Sequence, residues 1–421
     1  MAVRIEATRL VPGRGDVVDD GVLVIEDSLI SYAGAAADAP ETPDAEVVAT
    51  DTVMPGMWEC HGHFLGIYTA NIDEAFLVRP QLASMRVTAD ARRVLEAGFT
   101  SVREMGGLGT FLGRSIDEGA VVGPNVYGSG SMLSMTAGHG DLHSLDLDLS
   151  RRLGARVWGE DNIVDGPDEC RAGVRRMLRL GAKVIKVHAS GGVMSELDDP
   201  HLPQFSKPEL EAIVDEAARM ERIVGAHCHG KRGIMNALEA GIKTIEHGTY
   251  LDEDVADTMV ETGAILVPTR WIVDYLAKEG ERAGMPEYAK KKLHETAEHH
   301  ANGIALAIEK DVKIALGTDI WATGLWGRNG EELGHMVDCG MTPLQAIEAA
   351  TANGPATLGP QAPNAGELKE GMDADVICVS GDPSSDISVL ADAENVTHVF
   401  KGGVKYKGWR NGQAPREAVS A

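Results

Sequence analysis

The 421-residue chain carries 64 Asp and Glu against 39 Lys and Arg, a formal net charge of −25. Such a surface excludes nucleic acid and anionic membranes as expected partners, because their phosphates need a basic footprint, and points to a small-molecule substrate. No apolar stretch approaches the ~18 residues of a membrane span, and the hydrophobic share of 43% with 5% aromatics is that of an ordinary globular α/β protein.

Residues 2–56 read as short β segments (2–11, 21–34 and 46–56), because apolar and polar residues alternate between turn signals such as Pro12-Gly13 and Asp19-Asp20-Gly21. Residues 35–45 read as a linker. The start, MAVRIEATRLVPGRGD, has neither a basic n-region nor a long apolar h-region, so a cytoplasmic location is expected. Five scattered cysteines with no CxxC pair suit reduced thiols.

From about Val53 apolar runs of four to eight residues alternate with longer helical patterns, the rhythm of βα units around a parallel sheet. Eight candidate strands fall at 52–64, 100–107, 125–134, 183–190, 222–230, 244–250, 264–271 and 313–319. Helical patterns include 207–220, 233–241 and the closing 341–359, where Pro343 suits a first turn. From about Gly366 the pattern returns to β, and the tail 411–421 reads as disordered. The expected fold is α/β: a (β/α)8 TIM barrel over 57–365, with 1–56 and 366–421 paired as a small composite β-sandwich domain.

Metal-capable residues gather at the ends of these strands, where a TIM barrel builds its active site. His61 and His63 close the first, Lys186 and His188 the fourth, His227 and His229 the fifth, His247 the sixth and Asp319 the eighth. Residues i and i+2 share one side of a strand, so His61 and His63 face one cavity. A lone HxH pair arises readily by chance; the combination on five strands does not.

A lysine among histidines raises a second question, because burying an uncompensated ammonium is costly. Either Lys186 pairs with a carboxylate such as Glu104, or its neutral amine takes up carbon dioxide as a carbamate able to bridge two cations. Lys183 is expected on the opposite face. Cys60 and Cys228, each one residue from a proposed ligand, point away and read as core thiols.

HGH at 61–63, IKVHASGGVMS at 185–195, VGAHCHG at 224–230, TIEHGTYLDE at 244–253 and ALGTD at 315–319 resemble the amidohydrolase superfamily, in its imidazolonepropionase-related branch. TAGHGDLHS at 136–144, DDPHLPQFSKPEL at 198–210, VMPGMWECHGH and GELKEGMDADVICVSGDP extend the resemblance over nearly the whole chain. That branch contains prolidase-like and Xaa-Arg/Lys dipeptidases, ochratoxin-type amidases, and phenylurea or molinate hydrolases. The resemblance implies two divalent ions, zinc expected and manganese or cobalt alternatives. His61, His63 and Asp319 would hold one ion, His227 and His247 the other, and carboxylated Lys186 (N6-carboxylysine) would bridge them. Asp319 would carry the proton and His139 would meet the scissile carbonyl.

His229 is expected to orient substrate or to support His227, and the role of His188 stays open. Arg270 could meet a substrate carboxylate. Trp271, Trp321 and Trp326 either wall the pocket or simply pack. His143, His201, His294, His299, His300, His335 and His398 read as surface or structural. The activity implied is hydrolysis of an amide-type C–N bond in a dipeptide or N-acyl amino acid. The alternatives are a one-metal imidazolone hydrolase or deaminase, and a carbamate, phenylurea or lactone hydrolase on the same site. A homo-oligomer is allowed, with no subunit number fixed.

Overall fold

Backbone hydrogen bonds in the computed structural model, which describes residues 2–408, sort fifteen strands into three sheets. In chain order these are β1 (Val3–Leu10), β2 (Val18–Glu26), β3 (Leu29–Ala35), β4 (Glu46–Pro55), β5 (Met57–Ile67), β6 (Phe99–Glu104), β7 (Asn125–Gly128) and β8 (Ile185–His188). They continue with β9 (Val224–Cys228), β10 (Thr244–His247), β11 (Ile265–Val267), β12 (Ile320–Ala322), β13 (Val376–Val379), β14 (Val396–Lys401) and β15 (Val404–Lys407). The tail expected to be disordered lies outside the described residues.

Both ends of the chain do pair. They build one seven-stranded sheet in the order β15-β14-β13-β4-β1-β2-β3. All its neighbours are antiparallel except β1 and β4. Alternation along these strands turns Ile5, Leu23, Ile25, Val53, Val376 and Phe400 into an apolar core separate from that of the central region. The expected linker begins inside β3 and holds a short 3₁₀ turn at Ala36–Asp38.

The central region contains two four-stranded parallel sheets, β12-β5-β6-β7 and β8-β9-β10-β11, whose strands are buried except for the half-buried edge strand β7. A few backbone hydrogen bonds outside the regular ladders join the sheets at two seams. At one, Leu133 N donates to Lys186 O (2.9 Å) and His188 N to Leu133 O (3.0 Å). At the other, Leu266 N donates to Lys313 O (2.9 Å) and Cys60 N to Leu316 O (2.8 Å). Residues 313–319, expected as the eighth strand, therefore run between β11 and β5 with only an isolated bridge at Ile314, and the regular strand starts one residue after Asp319.

The helices between strands start where local chemistry dictates. Ser206 and Glu209 form a capping box at Lys207–Ala218, and Asp252 accepts from Val255 N at Glu253–Thr262. Thr342 and Gln345 cap Pro343–Ala350, with Pro343 in its first turn as expected. Among the described residues, no helix is long and apolar enough to cross a membrane.

Candidate metal centre

A cavity of about 350 Å³ opens where β8, β9 and β10 end, and its lining includes His61, His63, Lys186, His227, His247 and Asp319. His61 and His63 lie inside β5, which runs on to Ile67 rather than ending at the histidines as expected. Two other donors stand at sharp turns, His247 as the last residue of β10 and Asp319 just before β12. His247 and Asp319 adopt left-handed backbone (φ 71° and 59°), which side chains other than glycine rarely occupy and which concentrates at functional sites.

Each imidazole is held from behind. His61 Nδ1 lies 2.7 Å from Glu246 Oε2, His63 Nδ1 2.7 Å from Gly106 O and His247 Nδ1 2.7 Å from Thr269 Oγ1. Their Nε2 atoms are thereby turned inward: His63 Nε2 is 3.1 Å and His61 Nε2 3.6 Å from Asp319 Oδ1. His227 is reversed, with Nε2 3.3 Å from Gly191 O, so Nδ1 is the nitrogen left to it.

Among the described residues, two groups bring their ligand atoms within 4.8 Å of one another: His61, His247 and Asp319; and His227, His229 and His247. His229, whose Nδ1 sits 2.6 Å from Thr249 Oγ1, thus stands among the possible metal donors as well as on the cavity wall.

Burial sets the protonation of this cluster. It pushes the His61 imidazole down to about 4, helped by the charge of Lys186, and His229 to about 3. Burial holds His227 and His247 well below the usual histidine range. Neutral imidazoles are the form that binds metal. Asp319 remains acidic: burial alone would raise its carboxyl, but the hydrogen bond from His63 and nearby positive charge hold it low.

Lys186 Nζ is 3.3 Å from His61 Nε2, and burial pushes its amine down to about 8 against the pull of Glu246 and Asp319. Among the described residues no ion pair joins Lys186 to Glu104. The Glu104 Oε1 accepts from Phe64 N instead, and burial lifts that carboxyl to about 8. The donor set of imidazoles, one carboxylate and one depressed amine fits divalent cations.

His139 also lines the cavity, its ring stacked on His227 at 4.3 Å between centroids. His188 meets His139 edge-on at 5.0 Å, and its buried Nδ1 has no hydrogen-bond partner among the described residues.

Arg270 and Trp271 are not brought to this cavity. The chain turns at Thr269 (φ 57°) into the helix Arg270–Glu279, which ends the strand alternation that would have aimed them inward. Arg270 Nη1 donates to Ala297 O (2.8 Å) and Trp271 Nε1 to Glu331 Oε2 (2.8 Å). Of the other tryptophans, Trp321 lines the cavity and Trp326 packs on Phe64 at 4.1 Å. His143 and His300, read from the sequence as surface or structural, also line it. Cys60 and Cys228 are buried thiols.

Several residues that shape the site carry no mark of it in the sequence. Arg103, fully buried, donates to both oxygens of Glu246 (2.9 and 2.8 Å) and so neutralises the carboxylate behind His61. Glu59 accepts from His61 N (2.8 Å), Thr318 N (3.0 Å), Thr318 Oγ1 (2.7 Å) and Asn329 Nδ2 (2.7 Å), tying the segments that carry His61 and Asp319.

Residues 52–405 match the amidohydrolase family. Ochratoxinase of Aspergillus niger is 43% identical over 419 aligned positions, covering 96% of this chain and 86% of that protein. A crystal structure of A. niger ochratoxinase superimposes with a TM-score of 0.89 at 42% identity, over 97% of this chain and 96% of that one. A crystal structure of a Xaa-Pro dipeptidase with bound methionine in the active site superimposes with a TM-score of 0.86 at 30% identity, over 97% and 100%.

Proposed function

Because the chain belongs to the amidohydrolase family, we propose that it hydrolyses an amide-type C–N bond in a dipeptide or N-acyl amino acid, with two divalent ions in the cavity. The observation that carries this is the convergence of His61, His63, Lys186, His227, His247 and Asp319 on one cavity, each histidine with one ring nitrogen already engaged. His61, His63 and Asp319 would hold one ion, His227 and His247 the second. Lys186, as a carbamate, would serve both. Zinc suits these donors, with manganese or cobalt as alternatives.

Carbamate formation needs a neutral amine. Carbon dioxide then adds at Nζ, an N–C bond forms and one proton leaves. The burial that brings Lys186 down to about 8 enlarges the neutral fraction of that amine near neutral pH. When bound, the ions supply Lewis acidity and bring the pKa of a water to about 7.

The side chains provide the rest. Asp319 takes the proton that water loses as its oxygen bonds to the acyl carbon, and returns it to the departing nitrogen as the C–N bond breaks. His139, on the cavity wall, would meet the acyl oxygen and steady its growing charge. In the same reading the two parallel sheets are halves of one (β/α)8 barrel over 57–365, and the described parts of the terminal segments, 2–56 and 366–408, form the attached β domain.

The names of the relatives select the test. Purified protein is assayed for amine release from Xaa-Pro dipeptides, N-acyl amino acids and ochratoxin, before and after chelation. Chelator-sensitive cleavage of an amide is the expected result. Turnover confined to aminohydrolase or imidazolone substrates would overturn the proposal.

A further inference from the structure

We propose that Asp198 and Ser195, anchored by Lys292, are the positioning residues that hold His139 in the cavity; this rests on the hydrolytic reading of the site. Ser195 Oγ donates to Asp198 Oδ1, so the single hydroxyl proton is used and a lone pair faces His139 Nδ1, 2.6 Å away. That arrangement places a proton on Nδ1 and leaves Nε2 as the ring nitrogen with a free lone pair. Asp198 also reaches the His139 backbone. Its Oδ2 accepts from Gln204 Nε2 (3.2 Å), and Gln204 Oε1 accepts from His139 N (3.0 Å). One carboxylate therefore fixes both ends of the residue.

The loop around it is built to do this. Asp198 Oδ2 accepts from Gly192 N (3.0 Å), and Gly192 lies so close to the His139 ring that a Cβ there would stand 2.1 Å from Cε1. Lys292 reaches in from helix Glu287–Glu309. Its Nζ donates to Gly192 O (3.1 Å), Ser195 O (2.7 Å), Asp198 O (2.5 Å) and Asp198 Oδ1 (3.1 Å). The same helix puts Tyr288 on the cavity wall, with its hydroxyl on Met194 O (3.3 Å). The Asp198 side chain is 5% exposed and that of Lys292 16%. A largely buried ion pair between a loop and a helix is a poor source of stability compared with apolar packing, so its use here points to orientation of a neighbour.

The test combines a spectroscopic and a kinetic readout on metal-loaded protein. In ¹⁵N-histidine-labelled protein, with His139 assigned by loss of its signals in His139→Gln, the wild type should show a protonated Nδ1. Asp198→Asn and Ser195→Ala should lose that signature while metal content is retained. An unchanged His139 spectrum in both variants would overturn the proposal without any substrate.

Kinetics on N-benzoyl-L-phenylalanine and a Xaa-Pro dipeptide follow. Asp198→Asn, Ser195→Ala and Lys292→Met should each lower kcat on the order of 10- to 100-fold with little change in KM. In a His139→Gln background the same changes should cost almost nothing further, since residues acting through one another are not additive. Full additivity would mean a structural role and contradict the proposal. If His139→Gln itself leaves kcat unchanged while the spectrum behaves as expected, the positioning stands and the part given to His139 in hydrolysis falls.

Discussion

His61 and Glu246 meet at 2.7 Å through Nδ1 and Oε2, although 185 residues separate them in the chain. The Glu246 carboxylate is buried, which alone would raise it, yet Arg103 and His61 bring it down to about 2. It therefore stays charged and holds the imidazole as a metal-ready neutral base, the role that carboxylates behind histidine ligands commonly play.

Glu246→Gln should break this support. Activity or metal affinity is expected to fall on the order of 10- to 100-fold, and the now unpaired Arg103 should cost about 3–5 kcal/mol of stability. Metal titration and denaturant unfolding check both effects; a variant with wild-type values in both would refute the assignment.

Gly192→Ala tests the close approach to His139. An added Cβ would lie 2.3 Å from His139 Nδ1, so the ring must move. Hydrolysis should drop at least about 10-fold while circular dichroism and metal content stay near wild type. Unchanged kinetics would show that the ring position does not matter.

Metal removal should stop turnover and lower the unfolding temperature, because ions that bind only the folded chain stabilise it by mass action. Differential scanning calorimetry before and after dialysis against a chelator reads the shift, and zinc should restore it. A chelated protein with full activity would contradict a metal role.

Asp375 gives a pH test far from the metal centre. Burial lifts its carboxyl to about 6, although Gly402 N (2.7 Å) and Asn125 Nδ2 (2.9 Å) donate to it. A folded-state pKa above the unfolded one favours folding at low pH, and that contribution is lost as pH rises through about 6. Relative to Asp375→Asn, the wild type should lose up to about 3 kcal/mol between pH 4 and 6.5. Urea unfolding across that window measures it; parallel curves for the two proteins would show that the shift is absent.

How far the sequence could foretell this site depends on how local each signal is. His61 with His63, and His227 with His229, were legible because a strand repeats every two residues, so each pair declares its shared face wherever the strand lies. Lys186, His247 and Asp319 were legible by the same βα rhythm, although the strand expected at 313–319 is reduced to a bridge and β12 begins beyond it. Arg270 and Trp271 misled because the left-handed turn at Thr269, which starts a helix, has no marker such as glycine. Arg103, Glu59 and Asp198 were silent for another reason. Their partners lie on remote segments, and a buried carboxylate or guanidinium looks in the sequence like any surface charge.

The lysine-bridged centre is tested most directly by metal content per chain, measured by plasma mass spectrometry on protein purified without chelator, beside Lys186→Ala. About two ions in the wild type and a marked loss in the variant are the result it predicts. One ion in both proteins would contradict the lysine-bridged centre and move the chain toward a one-metal deaminase or imidazolone hydrolase.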